Sequence, residues 1–117
     1  MDNIKDDKYY LQKMLDIIEY LESYYKKIQN SNSVMKPNDP NSDAILYKFI
    51  QLREEAKNLS KNLLSSNSVL SEHIKFLTQF RNRITHDYDS VSYNYFDEIF
   101  DSDLPSLKRE IAKALKK

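Results

Sequence analysis

The sequence predicts an all-α fold, an up-and-down bundle of four or five helices. Apolar residues recur at three- and four-residue spacing in several segments, and this spacing gives a helix one apolar face. No window shows the alternation that is typical of a half-buried strand. The chain also has no glycine, which makes tight hairpin turns unfavourable. Its 117 residues suit one core, so we interpret residues 1–117 as a single domain.

The first half of the chain predicts two long helices joined by a polar loop. An apolar stripe predicts the first helix from about Asp6 to Ile28. The run 29–42 is polar and contains two prolines, which indicates a loop. Asn41 or Ser42 is the expected cap of a second helix from about Asp43 to Leu64.

The second half of the chain predicts three further helices separated by polar connections. These are a third helix from about Ser71 to His86, a fourth from about Tyr93 to Phe100, and a last helix with Pro105 in its first turn. Proline is tolerated in a first turn, so Ser102 or Asp103 is the expected cap of the last helix. The polar residues 87–92 form the connection after the third helix.

Composition excludes several classes of chemistry. The chain has no cysteine, which rules out thiol nucleophiles and cysteine metal sites. Without glycine it cannot form a Walker-type phosphate loop or a dinucleotide-binding fingerprint. No stretch approaches the about 20 apolar residues that a membrane span needs, so we expect a soluble, cytoplasmic protein.

Charge is balanced overall but polarised along the chain. The 18 basic residues equal the 18 acidic ones, so net charge says nothing about partners. Residues 73–86 contain no acid but hold both histidines, whereas residues 87–103 contain six acids and no Lys or Arg. Salt bridges between neighbouring helices would account for this pattern. An anion-binding site at the end of the third helix would account for it as well.

Arg81 and His86 supply the chemistry that cleavage of a phosphodiester needs. Arginine offers a planar fork of donors to a phosphate, and histidine can move a proton near neutral pH. RNA carries its own nucleophile in the 2′-hydroxyl, so no metal or other cofactor is required in principle. Such a pair at this spacing is common by chance, however, and has little specificity alone.

The surrounding residues give the pair its context. Residues 80–89, Phe-Arg-Asn-Arg-Ile-Thr-His-Asp-Tyr-Asp, contain an Arg-x4-His-x-Tyr pattern that resembles the signature of HepT, the toxin branch of the HEPN superfamily. Residues 43–60 resemble the second helix of that family, and residues 103–107, Asp-Leu-Pro-Ser-Leu, resemble its step into the last helix. Two departures are that Arg53 stands where the family usually has glycine, and that the 29–42 loop shows no match.

The resemblance implies a metal-independent endoribonuclease that leaves a 2′,3′-cyclic phosphate. His86 would be the general acid or base and Arg81 the stabiliser of the phosphate. Asn82 would orient the substrate or the histidine, and Glu54 matches an acid of the second helix that approaches the motif. The family places the motif at a homodimer interface. Transesterification needs both an acid and a base, and a two-fold interface would supply a second His86.

The resemblance also implies a role for Tyr88 and the partners of the protein. A tyrosine in this position accepts AMP groups from a nucleotidyltransferase antitoxin, MntA, so the implied setting is a type VII toxin–antitoxin pair acting on tRNA or mRNA. A core or interface aromatic is the structural alternative for Tyr88. His73 lies outside the motif and is expected on a helix surface. Two other functions remain open, a non-catalytic partner that binds nucleotide or a nucleotidyltransferase, and a structural dimerisation module.

Overall fold

The computed structural model describes residues 4–31, 33–86, 93 and 96–116. These residues are almost entirely helical, with no strand among them, which confirms the predicted all-α class. Their helices are α1 (Ile4–Asn30), α2 (Pro40–Ala56), α3 (Lys61–Ser66), α4 (Ser68–His86), α5 (Phe96–Glu98), a π-helical segment (Ile99–Asp103) and α6 (Leu104–Leu115).

Four long helices, α1, α2, α4 and α6, form the bundle. Helix α1 packs against α2 and α6, and α2 packs against α4. Lys13 pairs with Glu55 at one end of the α1–α2 contact, and Tyr24 bonds to Asn41 at the other, so the two helices are antiparallel. No helix in the described ranges is long and apolar enough to cross a membrane.

The core is apolar and is fixed near α4 by aromatic rings that meet edge to face or at a tilt. The Phe49 side chain is 1% exposed, and its ring centroid lies 5.3 Å from Phe80, 5.9 Å from Phe100 and 6.1 Å from Phe96. Such ring pairs stabilise a core beyond the burial of their area. Because Phe80 directly precedes Arg81, this cluster holds the last two turns of α4 against α2 and the C-terminal helices.

The structure corrects the predicted start of the second helix. Helix α2 begins at Pro40, and its cap is Asp39, whose carboxylate accepts a hydrogen bond from the Ser42 N–H at 2.9 Å. The predicted caps, Asn41 and Ser42, lie inside the first turn instead. Proline suits this first position because its missing N–H would be unpaired there anyway. The loop predicted for 29–42 is therefore shorter at both ends.

The predicted end of the second helix is also wrong, because α2 stops at Ala56 and not at Leu64. Ser60 then caps the short helix α3 by accepting from the Leu63 N–H at 3.2 Å. The Ser60 N–H and hydroxyl donate to the Asp7 carboxylate of α1 at 2.8 and 2.6 Å. This contact across 53 residues fixes the break. Helix α4 begins at Ser68, three residues before its predicted start.

Residues 96–115 form one helical run, where a fourth helix and a separately capped last helix were predicted. The fourth helix is described from Phe96 onward, and its predicted start near Tyr93 falls next to residues outside the described ranges. Asp103 has helical dihedral angles and makes no side-chain cap, so neither predicted cap starts the last helix. The Leu104 N–H donates to the Ile99 carbonyl five residues earlier, a π-type bond. The Pro105 ring would clash with the carbonyl four residues before it in an α-helix, and the wider π turn relieves that clash.

Candidate functional site

The motif residues occupy the last two turns of α4. These residues are Arg81, Asn82 and His86. They directly follow Phe80, whose ring packs against Phe49 of α2. Basic side chains suit this position because the C-terminus of a helix carries partial negative charge. Tyr88, the predicted acceptor of AMP, lies outside the described residues, as does the 87–92 connection.

Arg81 is directed toward α2 and is only partly paired. Its side chain is 31% exposed, and Nη1 donates to the Asn82 side-chain oxygen at 3.3 Å. Its Nε atom is buried and has no hydrogen-bond acceptor within the described part of the chain. Glu54 Oε2 lies 3.6 Å from Nε, close enough for attraction but too long for a good hydrogen bond. A buried donor without an acceptor is costly, so the contact with Glu54 pairs Arg81 only weakly, while the exposed part of the side chain stays accessible to an anion.

Glu54 is surrounded by cations of its own helix. Lys57 Nζ lies 3.0 Å from its carboxylate and Arg53 Nη1 lies 3.3 Å from it. The hydrogen bond from Lys57, together with the Lys57 charge and then the hydrogen bond and charge of Arg53, holds the pKa of the Glu54 carboxyl below its ordinary value, although partial burial opposes this shift. The carboxylate is therefore charged at neutral pH and is a poor proton acceptor. The geometry suits positioning of Arg81 better than proton transfer.

Arg53 is also part of this network. Its Nε donates to the Thr78 hydroxyl at 3.3 Å, and so bridges α2 to α4 one turn before Arg81. Its side chain is 24% exposed. With Lys57 and Arg81 it places three cations around the single carboxylate of Glu54. The α2–α4 contact is consequently cationic, although the chain as a whole is neutral.

His86 is exposed and leaves α4 in a different direction from Arg81. Each helical residue turns by about 100°, so side chains five residues apart point about 140° away from each other. Asn82 lies one turn before His86 on the same side of the helix. The structure therefore brings together Arg81, Asn82 and Glu54. It does not direct Arg81 and His86 of one chain to the same point.

Arg83 contributes to a cleft that the sequence did not reveal. The cleft has a volume of about 350 Å³ and lies between α4 and the start of the C-terminal helical run. Its lining residues are Phe76, Gln79, Phe80, Arg83, Glu98, Ile99 and Asp103. The only sign of this cleft in the sequence was the contrast between the cationic residues 73–86 and the acidic residues 87–103. Among the described residues, no salt bridge joins those two segments, so salt bridging does not account for the pattern there.

His73 is half-buried between α4 and α6, and the expectation of a surface position is wrong. Its Nε2 atom lies 2.9 Å from the Ser106 hydroxyl. Burial lowers the pKa of His73 below its ordinary value, although the charges of Asp103 and Glu110 oppose that shift. The histidine thus ties two helices together as a neutral group. Within the described ranges, no three His, Cys, Asp or Glu side chains cluster as metal ligands.

The chain matches a known protein family over most of its length. A family model described as ribonuclease HepT-like matches residues 14–114, a span that includes α2, α4 and Arg81 through His86. No solved structure matches the chain. The match covers well over half of the sequence, so the chain belongs to the HepT-like ribonuclease family.

Proposed function

We propose that the chain is the toxin of a type VII toxin–antitoxin pair, a metal-independent endoribonuclease that uses Arg81 and His86. The observation that best supports this proposal is the incomplete pairing of the Arg81 guanidinium. Its buried Nε has no acceptor among the described residues, and it lies in a cationic α2–α4 contact. A phosphate of RNA can meet the exposed part of the Arg81 side chain, with charge-assisted bonds that are stronger than neutral ones. The natural place of action is the cytoplasm, where tRNA and mRNA occur.

The proposed reaction is transesterification within the RNA strand. A base removes the proton of a ribose 2′-hydroxyl, whose oxygen then attacks the adjacent phosphorus. The bond from phosphorus to the 5′-oxygen of the next nucleotide breaks, and an acid protonates that oxygen. The products are a 2′,3′-cyclic phosphate and a 5′-hydroxyl. His86 exchanges the protons, and Arg81 stabilises the extra charge of the five-coordinate phosphorus.

A homodimer completes this site. One chain offers one motif histidine, and that histidine points about 140° away from Arg81 on the same helix. A two-fold axis beside the end of α4 would bring Arg81 and His86 of both chains into one cleft. One His86 would then act as base and the other as acid.

Glu54 and Asn82 are positioning residues in this proposal. Glu54 attracts Arg81 from α2, while Lys57 and Arg53 compensate the Glu54 charge from the other side. If Arg81 binds an incoming phosphate, Glu54 therefore still keeps its ion pairs with Lys57 and Arg53. Asn82 accepts from Arg81 Nη1 and shares the side of the helix with His86. It can orient both the arginine and the substrate.

Expression of wild type beside Arg81→Ala and His86→Ala tests the ribonuclease. We expect growth arrest and RNA degradation with wild type only. Glu72→Gln, an exposed change on the same helix, is the matched control and should behave as wild type. Equal growth and intact RNA in all strains would contradict the proposal and favour a non-catalytic partner protein.

Tyr88 is the proposed acceptor of AMP from a cognate MntA-like nucleotidyltransferase. Bulky anionic nucleotides two residues from His86 would repel RNA and block its access. Incubation with that enzyme and ATP should add AMP to wild type but not to Tyr88→Phe, as measured by mass spectrometry. Tyr93→Phe serves as the control. Modification of Tyr88→Phe at the wild-type level would refute the assignment of this residue.

A further inference from the structure

The cleft beside Arg83 has the composition of a site for a nucleobase. Phe76 and Phe80 form its apolar wall, with ring centroids 5.8 Å apart and planes inclined by 10°. Both rings are half-buried, so each keeps a part of its surface in the cleft. Proteins bind single-stranded RNA by stacking unpaired bases on such rings. A volume of about 350 Å³ is at the small end of ligand pockets, which suits one nucleotide.

Opposite charges line the cleft without pairing. Arg83 and Glu98 both contribute to its wall, yet no salt bridge or hydrogen bond joins either side chain to another described residue. Gln79 is likewise exposed at the rim. The cleft thus offers the donor fork of Arg83 and the carboxylate acceptors of Glu98 and Asp103. They are available to a planar ligand that has acceptors on one edge and donors on another.

Guanine is the RNA base with that combination. Its O6 and N7 atoms are two acceptors that an arginine fork can meet together. Its N1–H and amino group are donors that a carboxylate accepts. Adenine places a donor beside N7, which the arginine fork cannot match, and uracil has a donor N3–H between its two carbonyl oxygens. Cytosine can meet the fork with O2 and N3, but its only donor group is the N4 amino group, whereas guanine offers N1–H and its amino group together. Arg83 and Glu98 therefore favour guanine as a pair, because only guanine has two adjacent acceptors and two adjacent donors.

The cleft adjoins the proposed catalytic histidine. Arg83 and His86 are three residues apart on α4, and side chains at this spacing are neighbours on the helix surface, with Cβ atoms roughly 5–6 Å apart. A base bound at Arg83 therefore belongs to a nucleotide whose phosphate lies near His86. The π-helical segment supplies Ile99 and Asp103 to the opposite wall, and segments of this kind are frequent at functional sites.

We propose that this cleft binds a guanine base next to the cleaved phosphodiester, and that Arg83 and Glu98 make the enzyme prefer guanosine. This inference rests on the proposed ribonuclease function, because it assigns a substrate preference to that same site. Arg83 and Glu98 are specificity residues here. Stacking on Phe76 and Phe80 contributes affinity without choosing the base.

Oligonucleotides with a single ribonucleotide test the preference, because only that position has a 2′-hydroxyl. Substrates should carry G, A, C or U at that position or directly after it. We expect guanine at one of these positions to raise kcat/KM roughly tenfold or more, the range for one good arginine–guanine pair. Glu98→Gln and Arg83→Met should bring the ratio of G to A cleavage close to one. Glu72→Gln, outside the cleft, should keep the wild-type ratio.

Calorimetric titration with GMP and AMP separates this proposal from the ribonuclease proposal. The His86→Ala variant should bind GMP more tightly than AMP, adding Glu98→Gln should reduce the difference, and adding Arg83→Met as well should remove it. Selective GMP binding without cleavage of any RNA would refute the ribonuclease and leave the guanine pocket. Cleavage at equal rates for all four bases, with GMP and AMP bound equally, would refute the pocket and leave the ribonuclease. Equal base preference in Glu98→Gln and wild type would also refute it.

Discussion

A dimer with His86 replaced in one chain only tests whether the active site is shared. Arg81 and His86 of one chain point about 140° apart, so a site within one chain is disfavoured. If the two histidines act as base and acid at one phosphate, the loss of one removes a proton-transfer step worth roughly 10²–10⁴-fold in rate. We therefore expect the mixed dimer of wild type and His86→Ala to lose at least about 100-fold in kcat. If each chain had an independent active site, the mixed dimer would lose only half of the wild-type kcat.

The mixed dimer can be isolated with two different affinity tags, one on each chain. Cell-free synthesis avoids the toxicity expected of the wild type, and cleavage of a fluorescent RNA under single-turnover conditions gives the rate. A mixed dimer of wild type and Glu72→Gln is the control, because Glu72 is exposed on α4 roughly 21 Å along the helix from His86. It should retain the full rate. Half of the wild-type rate in the His86→Ala mixed dimer would refute the shared site.

Three further predictions concern the fold that supports the site. Phe49→Ala should lower the free energy of unfolding by about 3–5 kcal/mol in urea titrations. Because the Tyr47 side chain is exposed, Tyr47→Ala should change that free energy by less than about 0.5 kcal/mol. Similar values for the two variants would contradict the aromatic core. Ser60→Ala should cost about 1–2 kcal/mol, because the cap of α3 and the bond to α1 are lost together; a cost near zero would show that the break between α2 and α3 is set elsewhere. Because the folded-state pKa of His73 is lowered, the unfolded chain takes up a proton first, and stability should fall as pH drops from about 7 to about 5. That slope should shrink in His73→Gln but persist in His86→Gln, and an unchanged slope in His73→Gln would exclude His73 as its source.

The long helices could be predicted because their apolar spacing is a local property. The stripe of α1, including Met14, Ile18 and Leu21, is buried as the three- and four-residue spacing requires. The same holds for Leu77 and Ile84 of α4. In each case a single helix face meets the core, so the periodicity of the sequence and the burial coincide.

Helix ends could be predicted less well because distant residues decide them. The apolar pattern of α2 continues past Ala56 to Leu59, which is also buried. The helix nevertheless ends there, because Ser60 bonds to Asp7 of α1. The π-helical segment had no periodic signal either. It follows from Pro105 within a run that continues from α5, whereas the sequence predicted a new helix with its own cap.

The chemistry of the site could be assigned by residue type, but its organisation depends on the packing around α4. Arg81 points to α2, where Glu54 attracts it; Arg83 points to the C-terminal run, where Glu98 shares its cleft; His86 points to solvent. Three cationic or titratable side chains within six residues thus have three different surroundings. Net charge and spacing contain no information on this division, because it follows from which helix packs on each side of α4. His86 itself is exposed at the end of α4. In the proposed enzyme it therefore takes its partner from a second chain.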